Sequence, residues 1–437
     1  MTFLSPMLWV IAFRSLLQHR VRTFILGAAI AGVTALLVTL TGAFVGIRST
    51  LLLSATTLMS GHVNVAGFYK ASASAGAPVV TNYKKVRAII DSEVPELDYV
   101  VQRGRGWAKL VSESGAQQVG IGGIDITNEP GFRQVVQIKE GKLDDLTKPN
   151  GMLIFEAQAR KLGVKVGDTM TIVAPTFRGT SNTVDVILVA IAADIGMLSS
   201  WNTFMNDQGL RQLYQLNDES TGALQLYLKD IDQVKPVQER LRRVLAASGF
   251  ELLDPDPRPY FAKFDSVNRE NWTGQKLDVT NWEDETSFVQ WIVTALTALA
   301  TIVIFVLMMI IGVGIMNVMW ISIRERTREI GTLRAVGMQR QAVLAMFVAE
   351  GTLLGVMSTV LGGLLGVLLS VGLTRAHIGL PTSWQFVFFS ERLVISPTLF
   401  WVLFSVGFIT AVITLISIIP SFLAARLKPI TAMSHVG

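Results

Sequence analysis

The chain has 437 residues, half of them hydrophobic and only 16% charged, with a mean hydropathy of +0.46 and a formal net charge of +5. That balance argues against a wholly soluble protein, and it contains no cysteine, which excludes disulfides, thiolate zinc sites and thiol catalysis. The basic excess is confined to short flanks of apolar runs, so it reflects membrane topology and gives no reason to expect nucleic acid as a partner.

In chain order, residues 1–22 read as a cytoplasmic amphipathic lead-in helix, with Trp9 suited to headgroup depth and Arg14 and Arg20 on the polar side. Residues 23–48 form the first apolar run, uncharged from Thr23 to Ile47. It is too long for the core of a signal peptide and is expected to be an uncleaved transmembrane helix. Residues 49–287 change character. Val86–Val94 has a helical pattern, and Tyr99–Val111 and Gln117–Ile124 read as a strand pair. Met152–Phe155, Glu156–Leu162 and Thr169–Val173 read as strand, helix and strand, as do Ala223–Leu228, Gln233–Ala247 and Glu251–Leu253. Asp185–Ala192 reads as a further strand and Asn206–Gln215 as a helix; the alternation predicts a compact α+β domain, lying outside the membrane. After the rigid turn 254–259, a polar stretch rich in aromatics is expected to lead a helix into the second span.

Further apolar runs predict transmembrane helices at 288–322, 341–374 and 397–425. They are joined by a cytoplasmic coupling segment, 323–340, and a periplasmic loop, 375–396, and are followed by a cytoplasmic tail, 426–437. The expected fold is a polytopic α-helical membrane protein with four transmembrane helices and a large extracytoplasmic α+β domain between helices 1 and 2. The cytoplasmic pieces sum to +8 and the segment 48–287 to −3, so the positive-inside rule places both termini inside.

The coupling segment, Ile323-Arg-Glu-Arg-Thr-Arg-Glu-Ile-Gly-Thr-Leu-Arg-Ala-Val-Gly-Met-Gln-Arg340, is dense in arginine. It cannot lie in lipid, and Ile330, Leu333 and Val336 recur at helical spacing before Gly337 closes the turn. Glu350, a lone acid in the third apolar run, is read as an intramembrane pairing group near the Arg-rich segment. No GxxxxGK[ST], HExxH or GxSxG pattern occurs, and the four histidines have no ligand spacing, so no catalytic or metal residue is expected.

Residues 325–337, with Gln341–Gly351 and the closing Ile419-Pro-Ser-Phe-Leu-Ala-Ala-Arg-Leu-Lys-Pro429, resemble the signature of the MacB/FtsX-type permeases of ABC transporters. Gly122-Gly-Ile-Asp125 and Leu162-Gly-Val-Lys-Val-Gly-Asp168 resemble the outer domain of the lipoprotein-releasing, LolC/LolE-like branch. The resemblance implies a bacterial inner-membrane, multi-pass permease that pairs with a second permease, as a homodimer or heterodimer, and binds a cytoplasmic ABC ATPase. ATP and Mg would then be held by that partner, with no cofactor in this chain. It assigns ATPase coupling to Arg326, Glu329, Ile330, Gly331, Leu333, Arg334, Val336 and Gly337. It further implies a lipoprotein or other amphiphilic substrate contacted by Phe44, Ile47 and Leu51 facing Phe288, Trp291 and Ile292, alongside membrane lipid. A periplasmic carrier or adaptor would dock at the short loop 174–183 through Phe177. The alternatives are a MacB-like exporter of peptides, antibiotics or lipids, and an FtsX-like regulator of a cell-wall hydrolase.

Overall fold

The computed structural model describes residues 6–18, 20–72, 76–176, 180–381, 384–385 and 392–426. It divides into two units, one of residues 1–47, 294–378 and 393–437, the other of residues 48–293 and 379–392.

The first unit is helical. Among the described residues, four helices are long and apolar enough to cross a membrane: Arg20–Ala55 with its continuation to Ser60, Gln290–Glu325, Arg340–Arg375 and Leu399–Ala425. They are called the first to fourth spans below. Each keeps its backbone hydrogen bonds within itself, as lipid demands. The first and second run several residues beyond the expected limits of 48 and 322. The lead-in helix, Pro6–Gln18, lies along the third span and buries Ala12 and Leu16.

The third span is the centre of the bundle because glycine lets other helices approach on two of its faces. A Cβ at Gly351 would lie 2.9 Å from the Ser417 side chain, and Gly355 and Gly363 likewise face Ile413 and Val406 of the fourth span. On another face Gly366 meets Val38 and the Ala35 carbonyl at 2.8 and 2.9 Å, and Gly362 backs onto Ala31. Hydroxyl pairs Thr352–Thr414 and Thr359–Thr410, at 3.1 and 2.9 Å, reinforce the contact between the third and fourth spans. The second span instead joins the bundle along one stripe, Ile311, Ile315, Met319 and Ile323.

The second unit is built on eleven strands in the order β11-β1-β10-β3-β4-β9-β6-β8-β5, with β2 on β1 and β7 between β3 and β8. The strands are β1 Val63–Lys70, β2 Gly76–Ala77, β3 Leu97–Val111, β4 Ala116–Ile124, β5 Ile138–Gly141, β6 Gly151–Phe155, β7 Thr169–Pro175, β8 Ser181–Ala192, β9 Asn202–Asn206, β10 Ala223–Leu228 and β11 Gly274–Asn281. The 15-residue β3 serves two assemblies. Its first half pairs with β10 in an open antiparallel sheet, whose alternate residues Val63, Val65, Leu224 and Leu226 pack on helices Tyr83–Glu93 and Val234–Ala247. Its second half pairs with both β4 and β7, and the pairings β4–β9, β9–β6, β6–β8 and β8–β7 close a six-stranded ring. Leu110, Ile121, Met152, Ile172, Leu188 and Met205 fill that ring's core.

The expected strand–helix–strand units are present, with two differences. Glu251–Leu253 makes only the single bridge Leu252–Leu277. The polar stretch before the second span contains β11, whose Asp278 and Thr280 are buried because Lys263 and Glu285 meet them, each at 2.8 Å. Phe177 lies outside the described residues.

If the glycine faces hold the bundle, Gly366→Val forces the first and third spans apart and should cost about 1–3 kcal/mol. It should lower the Tm of the detergent-purified chain, whereas Gly372→Ala, with open space around it, should leave Tm unchanged or raise it.

Candidate functional site

The Arg-rich segment folds as a short helix, Thr327–Ala335, between the second and third spans. Arg326 stands at its start. Its Nη1 donates to Glu350 Oε2 at 3.1 Å and to Ser15 Oγ at 2.9 Å, its Nε donates to Glu329 Oε2 at 3.1 Å, and the guanidinium lies over the Phe347 ring. One side chain therefore ties the helix start to the third span and to the lead-in helix. At the other end Arg334 Nη1 donates to the Ala425 carbonyl at 3.0 Å, the C-terminus of the fourth span, where cationic groups are favoured. Gly337 then adopts φ +105°, a left-handed conformation suited to glycine, and the chain turns into the third span.

This geometry separates the expected coupling residues. Ile330 corrects the expectation of a partner-facing side chain. It is 1% exposed, packed in the bundle core with Ile323 and Phe347, because the same helical spacing that suits docking also suits anchoring. Gly331 is buried as well, and the Leu333 side chain lies outside the described ones. Val336 is 84% exposed, and Arg328, Glu329 and Thr332 share its openness. The anchored face and the open face of this helix are thus distinct. Ser15, not anticipated, was legible only as a polar residue among the apolar positions of the lead-in helix.

Residues 301–429 match the FtsX-like permease C-terminal family. This stretch is similar to the FtsX-like permease domain. Arg326, Arg334, Glu350 and Ala425 all fall within it. The macrolide export ATP-binding/permease protein MacB of Burkholderia cenocepacia is 33% identical to this chain over 144 residues, 32% of this chain and 19% of that protein. The uncharacterized ABC transporter permease YknZ of Bacillus subtilis is 30% identical over 174 residues, 39% of each. The chain thus spans well under half the length of these curated relatives. The solved periplasmic region of MacB from Actinobacillus actinomycetemcomitans overlaps 53% of this chain and 94% of its own, at 10% identity and a TM-score of 0.31, a likeness on which nothing below rests.

Of the expected substrate contacts, Phe44 lines an apolar groove of about 140 Å³ in the helical unit, with Leu40, Thr301, Ile304 and Trp401. Its neighbours on the second span are therefore Thr297–Ile304, further along than the residues expected to face it. Ile47 is half-buried. In the outer unit Trp291 is 64% exposed, but Leu51 and Ile292 are each 4% exposed and offer no open surface. Phe288 is committed to an aromatic cluster with Trp201 and Phe261. These three correct the expected contact list.

The outer unit also buries charge that sequence reasoning missed. Arg103 of β3 pairs with Glu129 and donates to the Thr57 carbonyl at 3.2 Å. Burial pushes the Glu129 carboxyl up from its usual 4.5 to about 7; Arg103 pulls it back, the Asp125 backbone N–H does so to a lesser degree, and the charges of Asp125 and Asp207 add to the rise.

Two outcomes follow for these pairs. Glu350→Ala takes the buried carboxylate from Arg326, leaving it Ser15 and the exposed Glu329, and should cost on the order of 3 kcal/mol in thermal unfolding; replacing both partners by methionine should cost less than the sum of the single changes. For Glu129, the folded chain holds a proton that the unfolded chain releases between about pH 4.5 and 7. Stability contributed below that window is therefore lost as pH rises through about 7, on the order of 2 kcal/mol between pH 5 and 8. Glu129→Gln should flatten that slope in urea unfolding curves.

Proposed function

We propose that this chain is the membrane permease of an ABC transporter of the MacB/FtsX type, passing ATP-driven motion from a partner ATPase to its outer domain. The observation that carries the reading is the helix Thr327–Ala335. It is fixed at both ends to the bundle by Arg326 and Arg334, yet leaves Arg328, Thr332 and Val336 open. A helix that only anchored topology would need no exposed apolar residue beside its arginines. On this reading the open face docks on the ATPase, which holds ATP and Mg, and Arg326 and Arg334 carry its displacement to the lead-in helix and the third and fourth spans. The outer domain then lies in the periplasm, both termini are cytoplasmic, and the permease acts as a pair in a bacterial inner membrane.

The substrate on this reading is an amphiphile, with lipoprotein release toward the outer membrane as its specific form. The apolar groove at Phe44 suits an acyl chain, each buried CH₂ contributing about 0.8 kcal/mol. A periplasmic carrier or adaptor would complete such a system. The second reading, export of a macrolide-like or peptide compound, is favoured by the similarity to the macrolide export protein MacB.

The test is co-purification with the ATPase in lipid nanodiscs, followed by ATPase activity with and without a triacylated lipoprotein. Stimulation in the wild type and a tenfold or greater loss of co-purified ATPase in Val336→Asp are expected. Intact assembly and unchanged activity in Val336→Asp would remove the docking role. Stimulation by a macrolide and not by the lipoprotein would decide for the second reading.

A further inference from the structure

Arg105 of β3 is 7% exposed, and its Nε, Nη1 and Nη2 meet no hydrogen-bond acceptor among the described residues. Its guanidinium lies 4.0 Å from the centre of the Tyr260 ring, a favourable stacking contact that leaves the in-plane donors unused. Arg103, two residues earlier on the same strand face, is 2% exposed and spends Nη2 on Glu129 and Thr57; its Nε and Nη1 also meet no acceptor. Both side chains line one cavity of about 30 Å³, walled by Trp201, Phe204 and Tyr260. Gly122, opposite Arg105 in the β3–β4 pairing, also lines it, and a Cβ there would lie 2.9 Å from the Phe204 ring.

Buried donors in native proteins are satisfied almost without exception, and a charged donor left unmet costs more than a neutral one. The neighbouring carboxylate does not supply the acceptor. Glu285 feels the charge of Arg105, but its Oε1 accepts from Asn64 and Thr280 and its Oε2 from the Tyr260 backbone N–H. Two guanidinium groups therefore face a space with one carboxylate bonded to Arg103 and another turned to other donors. The size is restrictive: a water needs about 10–15 Å³ by this measure, so the cavity admits a single halide-sized guest and excludes nucleotides and peptide side chains.

We propose that this cavity is a binding site for a small monovalent anion of halide size, held by Arg105 with the remaining donors of Arg103. Such an ion completes the hydrogen bonding of both arginines and sets a negative charge directly beside Arg105, which a water molecule does not. Because Arg103 also holds the Thr57 carbonyl, the ion stiffens the contact between β3 and the turn Thr56–Ser60. The site is independent of the transport reading.

The test uses the full chain in detergent, with chloride replacing gluconate at constant ionic strength. The expected result is a saturable rise in Tm with chloride that is absent in Arg105→Gln. A wild-type Tm indifferent to chloride, or a rise that persists undiminished in Arg105→Gln, would overturn the proposal. If that variant does not fold, bromide anomalous scattering from wild-type crystals decides. A peak within hydrogen-bond distance of Arg105 supports the site, and no peak in the cavity overturns it.

Discussion

The pairing of Glu350 with Arg326 governs the helical unit. A carboxylate enclosed among membrane helices is tolerable only with a partner, and separating a buried pair leaves an uncompensated charge costing about 3–5 kcal/mol. Arg326 occupies the junction between the second span and the short helix that follows, so the partner is also a joint. The same guanidinium reaches Ser15 and Glu329, and Arg334 closes the far end of the helix on Ala425. Rotation of that helix alone would have to break charged contacts at both ends. Displacement of the helix together with the lead-in helix and the third and fourth spans breaks none of them.

The packing of the bundle agrees with that division of labour. The third span uses two glycine-lined faces, one against the fourth span and one against the first, where backbone approaches backbone. Between membrane helices there is no hydrophobic drive, so close contact and hydroxyl pairs such as Thr359–Thr410 supply the cohesion. The second span has one apolar stripe and a broad exposed surface including Phe305, Met309 and Val313. Three spans thus form a tightly packed group, and the second is the one least restrained by packing.

Much of this was legible in the sequence, and the misses have physical causes. The four spans follow from long apolar runs, of which only the third carries an internal charge, and the strand pair β3–β4 and the helix Glu156–Leu162 follow from period and punctuation. Ile330 failed because helical spacing defines a face without saying which neighbour covers it. Strand β11 was missed because Asp278 and Thr280 read as surface residues; only the fold brings Lys263 and Glu285 to meet them. Arg103 and Arg105 were hidden for the same reason. On a strand of alternating pattern, two arginines on one face signal solvent, and only the fold brings Trp201, Phe204 and Tyr260 over them. Which helix each glycine of the third span admits is likewise a three-dimensional fact.

The outer unit receives the chain from the first span and returns it to the second at adjacent points of one sheet. The first span's helix ends in a tight π-helical turn, Thr56–Ser60, and β1 begins at Val63. Strand β11 ends at Asn281, the residue paired with Val63, and the turn Trp282–Glu285 lies against Thr56–Ser60 before the second span begins. Entry and exit are therefore coupled by backbone pairing along the whole length of β1 and β11. Shear between the two connections would have to slide one antiparallel register past the other, which moves every side chain of the slipped strand to the wrong face. Separation would have to break the ladder. The β1–β11 pair continues through β10 to β3, and β3, shared between sheet and ring, is the strand that joins this sheet to the rest of the domain.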